Sequence, residues 1–124
     1  MTKRSELFNP LTDLPIPAEE IVKDVTCVMV THTHLDHWDL YAEALIKKDL
    51  PVYVQHAADA NFIRNKGFKN VKVLGKGVMQ NKVKLTRTAC QHASDSMLAM
   101  PEMAEMLDQS MGFVFEAEGH KKVY

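Results

Sequence analysis

An α/β fold class, α+β by stricter schemes, is predicted by three features of the chain. Residues 25–31, Val-Thr-Cys-Val-Met-Val-Thr, form a β-branched apolar run of the length and composition of a buried strand. Helical and strand patterns then alternate as far as residue 74, an order that predicts parallel strands joined by right-handed crossovers. Beyond Gly75 the pattern changes to the alternation of half-exposed strands, which predicts antiparallel or mixed pairing.

The elements follow in order. Residues 8–17 carry three of the five prolines and read as an extended lead-in ending at residue 17. Pro17, Glu19 and Glu20 suit the first turn of a short helix running to about Lys23. The apolar run follows and leads directly into His-Thr-His-Leu-Asp-His at residues 32–37. Residues 38–48 have apolar residues at Leu40, Tyr41, Ala44 and Leu45, the helical spacing, with Lys47 and Lys48 at the C-terminal end. Pro51 closes that helix and residues 51–55 read as the next strand. A second helix, 57–66, stops at Gly67, and 70–74 is a third short strand. Residues 81–90 alternate as a strand, and 111–119 place Met111, Phe113, Phe115 and Ala117 on one face. Between them lies a polar, Met-rich stretch with a short helix starting at Pro101. Residues 119–124 read as a turn entering one more strand.

Composition narrows the function classes. The 124 residues, 46% hydrophobic, suit a single domain or a piece of one. The 15 basic and 16 acidic residues are scattered, which argues against nucleic acid and membrane surfaces as partners. The opening residues lack the apolar run of a signal peptide and no stretch approaches about 18 apolar residues, so a cytoplasmic location is expected. Cys27 and Cys90 have neither CxxC spacing nor a disulfide-dense context. Cys27 is expected in the core and Cys90 near the site.

Three imidazoles and a carboxylate directly after a buried strand are a metal-binding pattern, because zinc takes nitrogen and carboxylate ligands and a strand end holds them rigidly. In extended backbone residues i and i+2 point the same way, so His32 and His34 can grip one ion while a turn brings Asp36 and His37 toward a second. His56 reads as a strand-end or pocket-rim residue outside the metal site, and His120 as an exposed residue of a turn beside Lys121 and Lys122. Trp38 and Asp39 border the pocket or serve packing and capping. Met97, Met100, Met103, Met106 and Met111 read as core or lid. Gly75-Lys76-Gly77 lacks the following Ser or Thr of a phosphate loop.

The segment Thr31-His32-Thr33-His34-Leu35-Asp36-His37 resembles the signature of the metallo-β-lactamase superfamily, in its residues and in its place between a strand and a helix. The likeness extends over most of the chain and is nearest to hydrolases related to ascorbate-phosphate lactonases. It implies an αββα sandwich, of which this chain would be roughly the N-terminal half without the first hairpin. It further implies that His92 joins His32 and His34 around one metal, that Asp36 and His37 serve a second, and that Asp36 orients the attacking water. The remaining ligands of that family would fall beyond Tyr124, so one metal is expected more readily than two. Zinc is the expected cofactor, in one or two copies, with manganese or iron also suited to such ligands. The implied chemistry is hydrolysis of an ester, lactone or phosphoester-type small molecule by metal-activated water. The alternative is a truncated, inactive fragment that at most binds one zinc. A homo-oligomer covering exposed sheet surface is a further expectation.

Overall fold

In a computed structural model the described residues are 13–106 and 110–124; the lead-in is therefore described only from Asp13, where it is irregular. Helix α1 (Ala18–Val22) starts after Pro17, as its acidic first turn suggests. Strand β1 (Val28–Met29) is shorter than the apolar run implied, although the Val30 N–H still donates to the Tyr53 carbonyl at 2.9 Å and extends the ladder. Strands β2 (Pro51–Val54) and β3 (Asn70–Val73) complete a parallel sheet in the order β1-β2-β3. Between them run α2 (Leu40–Leu45) and α3 (Ala57–Asn65), the latter ending before Gly67, whose φ of +90° suits a residue without Cβ.

The second sheet is antiparallel, β4 (Gly77–Gln80) beside β5 (Val83–Cys90) beside β6 (Ser110–Ala117). Strand β4 was not anticipated. Asn81 and Lys82, which the alternation had drawn into a strand, both take positive φ and form a tight two-residue turn between β4 and β5. Lysine tolerates that conformation poorly, so Lys82→Gly is expected to raise stability by about 1 kcal/mol, read as an increase in the urea midpoint. Between β5 and β6 lie α4 (Asp95–Leu98), also unanticipated, and α5 (Pro101–Met106), which starts at the expected proline. The tail folds back so that Val123 and Phe115 exchange backbone hydrogen bonds of 3.1 and 2.8 Å, the one-bridge start of the expected further pairing.

Two apolar clusters hold these layers together. On one face of the parallel sheet, Val30, Val52, Val54 and Val71 pack against Ala60 and Ile63 of α3 and against Trp38 and Phe68. On the other face, Tyr53 and Leu74 meet Leu85 and Met111 of the second sheet, with Cys27, Met29, Phe113 and Phe115 packed around them. The α/β reading and the partial sandwich, helices on sheet on sheet, thus agree with the structure. The inward face of β6 is as expected from its alternation, while Cys27 is only half-buried.

Helix α2 forms where the spacing placed it, but its apolar positions do not make a buried face. Leu40 and Tyr41 are 67% and 61% exposed, and Ala44 is exposed as well. Core contact is made instead by the flanking residues: Trp38 stacks edge-on against Phe68 at 5.4 Å and donates its indole N–H to Glu43, and Ile46 packs against the same cluster. A helix of 6 residues is too short to present a stripe, so its ends do the anchoring. Asp39 caps it through a 2.7 Å bond from the Ala42 N–H; Asp39→Ala is expected to lower the chain's unfolding free energy by ~1 kcal/mol in a urea titration. Of the methionines, Met111 is core, Met97 and Met100 are exposed, Met103 is half-buried, and the Met106 side chain lies outside the described residues.

Candidate metal centre

The histidines gather where the parallel sheet meets the second sheet. His32 and His34 follow β1, and the Thr31 carbonyl just before them accepts the Met111 N–H of β6 at 3.3 Å, which ties that strand end to the second sheet. The His34 carbonyl accepts the N–H groups of His37 and Trp38 at 2.9 and 2.8 Å, closing the turn that carries Leu35, Asp36 and His37. His92 arrives from the other direction, in the loop that follows β5.

Ring centroids of His32 lie 4.7 Å from His34, 4.1 Å from His37 and 4.3 Å from His92, and His34 lies 5.0 Å from His92. One nitrogen each of His32, His34 and His92 falls within 4.8 Å of the others, and so do ligand atoms of His32, Asp36 and His37. Every residue expected at the site is therefore brought to it, with His32 shared by the two groups. His56 and His120 are in neither group: His56 caps α3 through the Asp59 N–H, and His120 is exposed. Cys90 is exposed at the end of β5.

The surroundings of His32 suit a metal ligand. The residue is 6% exposed, its Nδ1 lies 3.0 Å from the Thr31 hydroxyl, and its Nε2 is buried with no hydrogen-bond partner among the described residues. When the Nδ1–H donates to Thr31, the Nε2 lone pair points unpaired into the cluster of imidazoles. Such an orphan is costly in a buried place unless something binds it, and orientation of a ligating His by a bond to its other nitrogen is how metal sites are built. Asp36 and His37 differ, with side chains 78% and 46% exposed and 3.6 Å between Oδ2 and Nε2. In the first group His34 and His92 are half-buried beside the buried His32, whereas Asp36 and His37 leave the second group open.

Burial, and then the facing His37, His92 and His34, hold His32 below its ordinary imidazole range against the opposing pull of Asp36. The sign for stability follows from which state binds the proton. Below about pH 6.5 the unfolded chain protonates this residue while the folded chain does not, so its contribution is present above that pH and is lost on acidification. For the metal-free chain the urea midpoint should fall between about pH 7.5 and about pH 5.5, and by less in His32→Gln.

No family model matches the chain. It is 35% identical over 99% of its length to UPF0173 protein YddR of Bacillus subtilis, covering 46% of that protein, and 32% identical over 95% to a UPF0173 metal-dependent hydrolase of Rubrobacter xylanophilus, covering 50%. Among solved structures it resembles a possible metal-dependent hydrolase from Veillonella parvula (TM-score 0.88, 39% identity, 93% of this chain and 44% of that one). The chain belongs to the metallo-β-lactamase-fold family. It also resembles an isothiocyanate hydrolase from Delia radicum gut bacteria, with a TM-score of 0.87 and 35% identity over 99% of this chain and 47% of that one. The chain spans about half the length of the metallo-β-lactamase-fold relatives it matches.

Two residues, one inside the metallo-β-lactamase-fold signature and one in α3, were given no role from the sequence. The Thr33 hydroxyl donates to Asp59 Oδ1 at 3.0 Å, and Asp59 is almost wholly buried. Only a carboxylate in the first turn of α3 hinted at Asp59, and such a residue more often serves the helix end alone. Among the described residues no helix is long and apolar enough to cross a membrane.

Proposed function

We propose that the protein is a metal-dependent hydrolase in which His32, His34 and His92 hold one divalent ion, zinc being the best match to three imidazoles. The observation that carries this reading is the buried, unpartnered Nε2 of His32 beside two converging imidazoles. A zinc ion bound there would supply acidification of water to near neutrality and polarisation of the oxygen at the scissile bond. The chain's own residues do the rest. Thr31 fixes the His32 ring through Nδ1, and the turn at His34 carries Asp36 to the mouth of the cluster. There a carboxylate oxygen of Asp36 accepts a hydrogen bond from the attacking water and orients it. Asp36 and His37 would offer two ligands to a second metal position, since both ring nitrogens of His32 are already used.

The substrate in this reading is a small electrophile, an ester, a lactone or a phosphoester, taken up in the cytoplasm. A second reading, an isothiocyanate attacked at its central carbon, is favoured by the likeness to the isothiocyanate hydrolase. The test is metal analysis of the purified chain, followed by hydrolysis assays on the four substrate classes before and after chelation. About one zinc per chain and a chelator-sensitive activity support the proposal. A folded chain with no affinity for zinc, manganese or iron overturns it, and zinc binding without hydrolysis of any class reduces it to a metal-binding chain.

A further inference from the structure

Thr33 stands between the two imidazoles of the His-Thr-His segment, and its hydroxyl reaches away from them to Asp59 Oδ1, 3.0 Å away across 26 positions of sequence. Asp59 lies in the first turn of α3 and is 5% exposed. A carboxylate that only complemented the helix end would do so from the surface, as Glu19 and Glu20 do in α1, without the cost of leaving water. The cap of α3 does not call for it either, since the Asp59 backbone N–H is already taken by His56 Nδ1 at 3.2 Å. The second carboxylate oxygen, Oδ2, lies 3.3 Å from that same imidazole nitrogen. Because that nitrogen accepts the Asp59 N–H it has no proton to give, so Oδ2 has no hydrogen-bond partner among the described residues. The Thr33 hydroxyl is thus the group that binds the carboxylate, on a helix whose Ala60 and Ile63 are fully buried against the parallel sheet.

We propose that Asp59 is a positioning residue for His32 and His34, acting through Thr33. The bond pins the residue between the two ligands to a rigid helix, which sets the angle at which the rings meet, 89° between planes with centroids 4.7 Å apart. This role rests on the reading of those histidines as metal ligands. It assigns to α3 a part in the site although none of its own residues belongs to either group of ligand atoms.

The test compares Thr33→Val, which keeps the shape and removes the hydroxyl, with Thr33→Ser, which keeps the hydroxyl, and with Asp59→Ala and the Thr33→Val, Asp59→Ala pair. Zinc affinity is read by competition with a chromophoric chelator, ligand geometry by the visible absorption of bound cobalt(II), and fold by urea unfolding of the metal-free chains. Thr33→Val should bind zinc roughly 10–100-fold more weakly with an altered cobalt spectrum, as loss of an outer partner does elsewhere. Thr33→Ser should bind as the parent does, and the pair no more weakly than Thr33→Val alone. Parent-like affinity in Thr33→Val overturns the role, as does a loss that merely follows the urea midpoint with the cobalt spectrum unchanged. Asp59→Ala tests only the pair, so a failure of that variant to fold leaves the Thr33 series to decide. A parent chain that takes up no metal overturns the reading of the histidines, and this role with it.

Discussion

Replacing His32 and His34 together by alanine is expected to abolish zinc uptake while leaving the chain folded. The loss should exceed the roughly 10–100-fold that removal of an outer partner costs, because two of three proposed ligands disappear. The fold should tolerate it. His32 contributes a buried nitrogen without a partner, and deleting an unsatisfied group removes a desolvation penalty that offsets part of the lost packing. Equilibrium dialysis against zinc, beside circular dichroism, separates the two effects. Undiminished uptake in the double variant would put the metal elsewhere.

The largest expected effect on stability comes from Ile63→Ala. Ile63 is fully buried where α3 meets the parallel sheet, and a deletion of this kind costs about 2–5 kcal/mol because the surroundings collapse only partly into the space left. Against a typical total of roughly 5–15 kcal/mol that is a large share, several times what is expected from the cap at Asp39. The measurement is the urea midpoint at unchanged slope. A shift below about 1 kcal/mol would mean that α3 is held less firmly than its burial implies.

The site was more legible in the sequence than some of the elements around it. Residues 32–37 announce themselves because ligand types are rare at that density and the preceding run is plainly a strand. His92 entered through the family resemblance, and no periodicity would have brought it there. What escaped was decided through space or by small differences in turn chemistry. The Thr33 to Asp59 bond links positions 26 apart, and Asp59 looks like any acidic first-turn residue. Asn81 and Lys82 continue an alternating pattern in which the turn is betrayed only by the asparagine. Leu40 and Tyr41 have helical spacing, yet the side chain that wins the core is Trp38, just before the helix begins. Periodicity reports a face only when an element is long enough to have one. For the same reason α4, with 4 residues, could be found only from Ser94, which caps it.

The three converging imidazoles do not belong to one sheet. Two are set by the end of β1 and the third by the loop leaving β5, so the distances among them gauge the registry of one sheet against the other. A slip of the second sheet by a single residue would carry His92 out of reach while leaving His32 and His34 as they are. An ion bound to all three would accordingly act as a strut between layers otherwise joined by an apolar cluster and a few hydrogen bonds, among them those from Met111 to Thr31 and from Arg87 to Gln55. At a free concentration one hundred times its dissociation constant such a ligand adds about 2.7 kcal/mol to the folded state, and that increment would be felt as resistance to shear at the joint between the two halves of the sandwich.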